Sequence, residues 1–473
     1  MGPGPAGETD WALLDTTDSA NFRDLASLPY KVVYDPHVHR CSWFRAAVLL
    51  VAEVLGAGVL ALPSGFATLG WVLGIASCLL FAATAIYAGF LLAAVRNYMV
   101  PKAVSYYDLA RTLVGPRFGV CTRFFILSTW ALLLPYYIIA CANAAKESIF
   151  KNTNLCDYHV SLIVSALLLI PLQVRSLHKI SYAATLSSFF SCCMIFTACA
   201  SLMSQQASPT SAASAALSVQ VSSGFNATPI WPDLSASPTE ILDLYGGFSK
   251  IIFAYQGQSL FCEIMREMRD ARQFTLSVTS ANSLMMVVYL LVNIVANIAR
   301  GRDVPGFLPA AMSDSWPRSL VCAFVAYITG CSYIITGQPL HRTILLSVAP
   351  QAARNGGFRC RVVWFFITSS MLLLSYLIAN AIPFFADFQN LLGALTGAPI
   401  VFAWPALFFL RGCAMKRVRV QKKHEILCRL YLYIFFPIFT LLGVTNAAMA
   451  MIADWDTNPP PFSCRPHSGV NGN

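Results

Sequence analysis

Eleven stretches of mainly apolar residues recur along this chain, at roughly 43–68, 71–95, 120–145, 158–174, 182–203, 241–265, 274–299, 319–340, 362–382, 389–410 and 428–452. Each is near the ~20 residues a helix needs to cross a bilayer. No water reaches that depth to pair a stray N–H or C=O, so each stretch must close its hydrogen bonds within itself. The chain is therefore expected to be an all-α integral membrane protein of about eleven transmembrane helices, its membrane domain spanning 43–452. Only 11% of its 473 residues are charged, against about 25% in soluble domains.

The net charge of +10 would suggest a nucleic-acid partner in a soluble chain. Here the basic residues have another place to go, because Lys and Arg collect in cytoplasmic loops. With the N-terminus in the cytoplasm, 25 of the 32 Lys and Arg fall on the inner side and six on the outer, and Lys250 alone lies within a span. That orientation puts the 1–42 tail inside, as a disordered segment. Asp10-Trp11-Ala12-Leu13-Leu14 in it has the spacing of an acidic dileucine sorting signal, a pattern common by chance. The Ser/Ala/Pro-rich segment 204–238 reads as a flexible extracytoplasmic loop. It holds the one acceptor sequon, Asn226-Ala227-Thr228, weakened by Pro229. The 453–473 tail is short and extracytoplasmic, so Cys156 and Cys464 share the oxidising side and could pair. Most other cysteines are apolar fillers within spans. No cleavable signal peptide is expected, since the first forty residues are polar and the first apolar segment is too long for one.

Two spans carry residues that a helix at membrane depth should avoid. The first reads Glu53-Val54-Leu55-Gly56-Ala57-Gly58-Val59, with glycines that weaken a helix. Its carboxylate costs roughly 2.5–3.5 kcal/mol near the bilayer centre. The sixth reads Ala254-Tyr255-Gln256-Gly257-Gln258. Interrupted spans at matching places in two halves point to a transporter's substrate site. The second half-helix is expected to start at Gly56–Gly58, where amides and the positive dipole end suit a carboxylate. The first half of the sixth span ends at Ala254–Gln256, where carbonyls suit an ammonium, so a zwitterionic amino acid would satisfy both. The alternative is that the glycines only let helices pack closely. Glu53 is the candidate for loading and releasing a proton, or else a structural group bonded to a neighbouring span or to Lys250. Tyr136 and Tyr137 follow the kink-prone Pro135 and either wall the cavity or only pack. Gln258 and Thr336 are further selectivity candidates. Glu263, before Arg266 and Arg269, is a gate or ion-pair candidate. Asp387 is placed at the outer surface, where it need not be buried. Lys250 either favours an anionic substrate or snorkels outward.

No HxxxxD, GxSxG or DHHC motif occurs. The seven histidines are unclustered apart from His37 and His39 in the tail, so no enzyme, metal or cofactor is expected.

These residues resemble the amino acid/auxin permease family of the amino acid–polyamine–organocation superfamily. GAGVLALPSGFATLGW, from Gly56, is similar to its first span and the opening of its second. Residues 171–188 (PLQVRSLHKISYAATLSS) resemble its loop between spans four and five. FAYQGQSLFCEIMREMRD, from Phe253, resembles its sixth span, and residues 382–405 (IPFFADFQNLLGALTGAPIVFAWP) its junction of spans nine and ten. The resemblance implies a LeuT-like fold: two inverted repeats of five helices with helices one and six broken, plus an eleventh. It implies secondary active amino acid uptake and carries the substrate role onto Val54–Leu60 and Phe253–Gln258. Sodium-coupled branches favour an amide shortly before the first-span glycines. Here that stretch offers Ala52 and Glu53, which favours protons as the coupling ion. The expected partners are an amino acid substrate and the lipid bilayer, with no obligate protein partner. The membrane is the plasma membrane or that of a vacuole or lysosome. Rival readings are a permease for another small carboxylate (auxin-like or GABA), a sodium-coupled transporter, and a nutrient receptor that binds without transporting.

Overall fold

The computed structural model describes residues 41–103, 105–151, 153, 155–174, 177–207, 228–232, 238–355, 357–382, 385–457 and 462. The tail motif Asp10–Leu14, His37, His39, the sequon residue Asn226 and Cys464 lie outside them. The described residues form helices and no strand, and Cys41 and Met268 meet in an isolated backbone bridge.

In chain order the main helices are α1 (Trp43–Gly58), α2 (Leu62–Ala94), α3 (Pro116–Ser148), α4 (Asp157–Leu172), α5 (Leu177–Ala207), α6 (Pro238–Ala254) and α7 (Phe261–Glu267). Then follow α8 (Phe274–Arg300), α9 (Trp316–Val348), α10 (Gly357–Ala381), α11 (Phe385–Leu392), α12 (Trp404–Lys416), α13 (Lys422–Leu430) and α14 (Phe436–Thr457). Wider π-type turns at Gly393–Gly397 and Pro399–Ala403 join α11 to α12. Among the described residues, eight helical stretches are long and apolar enough to cross a membrane. Three of the eleven expected segments form shorter helices: α1 and α4 with 16 residues each, and α6 with 17. At 1.5 Å per residue these are near 25 Å, short of the ~30 Å hydrocarbon core.

The outward faces are apolar. Phe124, Ile170, Phe196 and Leu441 are each about 70% exposed, which suits hydrocarbon. The core sits where α1 packs on α5, α6, α8 and α9, and α9 on α3. Polar side chains there bond back to carbonyls of their own helix, as Ser191, Thr329 and Asn282 do, which removes the cost of an unpaired hydroxyl or amide. The Gly70 backbone lies in the left-handed region (φ 76°) and turns the chain sharply within α2. A Cβ there would stand 2.7 Å from the Pro229 carbonyl oxygen, so glycine is required. Outside the core, Lys146 pairs with Asp157 and Lys151 with Asp314. Arg318 and Glu147 meet at 2.8 Å.

Candidate functional site: a cavity between interrupted helices

The helix of the first span runs through Gly58, and the next begins at Leu62. Here the structure corrects the expected position of the gap. Gly56, Ala57 and Gly58 lie within the last turn of α1, so their amides do not open a second half-helix. Residues 59–61 are the non-helical ones. The physical reason is packing. A Cβ on Gly58 would stand 2.9 Å from Ala254 Cα and 3.2 Å from the Tyr289 hydroxyl. A small residue in contact keeps its helical conformation while letting α1 and α6 approach, which is the alternative role considered for these glycines. Val59 and Leu60 are completely buried. The Leu60 carbonyl accepts from the amide of Leu308 at 2.8 Å. Ser64 Oγ donates to the Ala61 carbonyl at 2.9 Å.

In the sixth span, α6 ends at Ala254, residues 255–257 are non-helical, and a single 3-10 turn (Gln258–Leu260) leads into α7. Gln258 closes this gap from within. Its Oε1 accepts from the Gly257 amide at 2.9 Å and its Nε2 donates to the Tyr255 carbonyl at 3.2 Å. It is wholly buried and spends its amide on the backbone, so it does not present the selectivity contact expected of it. Gln256 instead reaches Thr396, with Nε2 donating to Oγ1 at 3.0 Å.

Three groups not singled out in the sequence brace the interruptions, and one of them, Tyr289, reaches both. The Tyr289 hydroxyl on α8 lies 2.8 Å from the Ala254 carbonyl and 3.4 Å from that of Val54, so one O–H serves the ends of both α6 and α1. The carbonyl expected to face an ammonium is thus already engaged on one side. Gln389 on α11 donates to the Gly58 carbonyl at 3.4 Å and accepts from the Tyr136 hydroxyl at 2.8 Å. Asn297 on α8 donates to the Pro63 carbonyl at 3.2 Å. Nothing local marks any of them, because their partners lie 35 to 331 residues away in sequence.

A cavity of about 40 Å³ lies beside these gaps. Of the candidate residues, Glu53, Gly58, Tyr137, Gln256 and Gly257 line it. Val54 and Phe253, onto which the resemblance had also carried the substrate role, line it too, and the structure adds Thr129, Trp130 and Leu133 from α3 and Ser259. Gly56, Val59, Ala254, Tyr255, Gln258, Tyr136 and Thr336 sit behind the wall. Tyr136 stacks on Phe385 with ring centroids 4.9 Å apart, and Tyr255 packs edge-on against Tyr289 at 5.2 Å. Thr336 on α9 acts through Glu53: its Oγ1 donates to Glu53 Oε1 at 3.0 Å. Glu53 Oε2 is sealed from solvent and has no hydrogen-bond partner among the described residues. That one hydrogen bond to a carboxylate is worth about 1.5–3 kcal/mol net, which at most matches the cost of roughly 2.5–3.5 kcal/mol of placing the charge there. Lys250 does not pair with Glu53. Its amine lies 3.3 Å from Ser64 Oγ, and the carboxylates whose charge reaches it are Asp387 and Asp243. Asp387 is half-buried beside Asp454 and not fully open to solvent as expected. Glu263 makes no ion pair with Arg266 or Arg269 among the described residues. No group of three metal-ligating side chains occurs among the described residues.

The profile of the family described as transmembrane amino acid transporter protein matches residues 39–451. The N amino acid transport system protein of Neurospora crassa is 26% identical over 443 residues, covering 90% of this chain and 89% of that protein. Amino acid permease 1 of Arabidopsis thaliana is 21% identical over 463 residues, covering 89% and 91%. GABA transporter 1 of the same plant is 21% identical over 398 residues, covering 78% and 82%. Among solved structures, the substrate-bound outward-open state of a Na+-coupled sialic acid symporter aligns with a TM-score of 0.50 at 12% identity, covering 90% of this chain and 92% of that one. That likeness concerns the fold, which is LeuT-like. The chain belongs to the transmembrane amino acid transporter family, of the amino acid/auxin permease type, and is a multi-pass transporter and not an enzyme.

Proposed function

We propose that this protein is a proton-coupled amino acid symporter working by alternating access. The observation that carries this reading is Glu53. One oxygen is held by Thr336, the other has no partner among the described residues, and the side chain lines the cavity between α1, α3, the end of α6 and the turn at Gln258–Leu260. A buried carboxyl with one open oxygen is a place for a transferable proton. When loaded, Oε2–H donates into the cavity; when released, the bare oxygen must find water or substrate. Glu53 stands where sodium-coupled relatives favour an amide, which supports protons over sodium.

The substrate reading follows from the interruptions. The amides near Val59–Ala61 would meet a carboxylate, and the remaining lone pairs of the Ala254 and Tyr255 carbonyls an ammonium, once the wall in front of them opens. Tyr137, Gln256 and Trp130 meet the side chain. A cavity of about 40 Å³ holds a few waters, whereas ligand pockets run to several hundred Å³. Substrate entry therefore requires α1 and α6 to part from α3, which is the motion alternating access supplies.

In this reading α1 and the start of α2 form one broken span, and α6 and α7 form another. That makes eleven spans, in two inverted repeats of five plus the last. The N-terminus is cytoplasmic, from the Lys/Arg bias. Cys156 is disulfide-bonded, and disulfides persist on the extracellular or lumenal side, which supports the same orientation in the plasma, vacuolar or lysosomal membrane. The likeness to GABA transporter 1 brings a second substrate, GABA, which also carries both charges. Competition between GABA and α-amino acids for uptake separates the two.

The test is uptake of labelled amino acids by purified protein in liposomes. Glu53→Gln should abolish accumulation driven by a pH gradient while keeping substrate exchange at zero gradient. A Gln variant that accumulates substrate as the wild type does would remove Glu53 from the coupling step.

A further inference from the structure

The segment 411–429, between the last two spans, carries seven Lys and Arg and a single carboxylate, Glu425. That carboxylate is taken by Arg429 at 2.5 Å. Lys416, Arg417, Arg419, Lys422 and Lys423 are all exposed. They sit where one candidate span ends (Lys416) and the next begins (Lys422), which is headgroup depth. Loop bias explains an excess of cations on this side. It does not explain their concentration at the one junction between α12 and α13.

Two features hold that junction in place. The α12 helix stops at Arg417, whose backbone is left-handed (φ 54°, ψ 30°), and the Val418 amide caps the Cys413 carbonyl at 2.9 Å. Glycine takes that conformation readily, whereas in a residue with a Cβ it is strained. A strained residue that keeps a cation at a chosen place points to a functional surface. Next, α13 is pinned to α2. The His424 ring lies parallel to Tyr87 at 5.9 Å, with Nδ1 3.0 Å from the Tyr87 hydroxyl, and Cys428 is buried. The opposite face presents Lys422, Lys423 and Ile426, the last 66% exposed. Cations beside an exposed apolar side chain at the start of a membrane-crossing helix can reach the headgroups while the apolar side chain stays among the lipid tails.

We propose that this face binds the phosphate-bearing headgroups of anionic phospholipids in the adjoining leaflet. Clusters of four to eight Lys/Arg beside a transmembrane helix attract such lipids. Anionic lipid thereby fixes the junction of α12, α13 and α14 against α2. The inference does not depend on what the protein transports.

The test uses full-length protein in neutral detergent, titrated with dioctanoyl phosphatidylinositol bisphosphate, dioctanoyl phosphatidylcholine or inorganic phosphate, with bound lipid read by native mass spectrometry. The inositol lipid should bind at least tenfold more tightly than the choline lipid, and less so at high salt. Replacing Lys416, Arg417, Arg419, Lys422 and Lys423 by Gln should erase that preference while uptake in phosphatidylcholine vesicles stays at the wild-type level. If that variant fails to fold, Lys422→Gln with Lys423→Gln serves, at about a fivefold loss per cation. Equal retention of both lipids, an unchanged preference in the variant that folds, or displacement of the lipid by inorganic phosphate at matching concentration would each overturn the proposal.

Discussion

At the scale of single residues, the site depends on side chains that satisfy interrupted backbone. Tyr289 is the clearest case. One phenol reaches carbonyls at the ends of α6 and α1, 2.8 and 3.4 Å away. Tyr289→Phe keeps the ring against Tyr255 and removes only the donor, leaving buried carbonyls short of a partner. It should cost about 1–3 kcal/mol, read as a lower thermal midpoint, and should slow transport, because α1 and α6 lose their shared tie. A variant with an unchanged midpoint and unchanged uptake would mean the bridge is idle. Glu53 and Tyr137 were legible from sequence, because a carboxylate at membrane depth and aromatics after Pro135 are locally conspicuous. Tyr289, Gln389 and Asn297 were not, because a polar residue on an otherwise ordinary helix declares nothing until its distant partner is known.

At the scale of elements, each interruption has its own means of closure. The sixth-span gap is capped internally by Gln258, which pairs the Gly257 amide and the Tyr255 carbonyl. Gln258→Ala should leave both unpaired in a dry site, lowering stability by about 1–3 kcal/mol. Gln258→Asn, one methylene shorter, should recover little of that loss. A Gln258→Ala protein with wild-type stability would show that water replaces the amide. The sequence placed the first gap at Gly56–Gly58 and the structure places the non-helical residues at 59–61. Glycine propensity is a weak local signal. The contact of Gly58 with Ala254 outweighed it, since close helix packing needs the small residue to remain helical. The positions of the apolar helices were legible because apolar runs set them, but their lengths were not: the span expected at 319–340 is a helix of 33 residues, Trp316–Val348. The split of α1 from α2 depends on tertiary contacts and was harder to place.

At the scale of the whole molecule, the apolar outer faces, the clustering of charge at span ends and the family match describe one object, a multi-pass transporter. The disulfide at Cys156 ties down the connection between α3 and α4. A native cross-link typically contributes about 2–4 kcal/mol. Cys156→Ser should therefore lower the thermal midpoint in non-reducing buffer, with the difference from wild type vanishing in reductant. Equal midpoints in both buffers would show that the cross-link adds no stability. The fold class was readable from hydropathy alone, because the bilayer leaves few alternatives. The surroundings of Glu53 were not, because its hydrogen-bond partner Thr336 comes from α9, 283 residues away.

The most direct test of the account is amino acid accumulation by the wild-type protein in sodium-free liposomes, with an inward proton gradient as the only driving force. The account predicts uphill accumulation that collapses when a protonophore removes the gradient. Accumulation that appears only when a sodium gradient is imposed would contradict it.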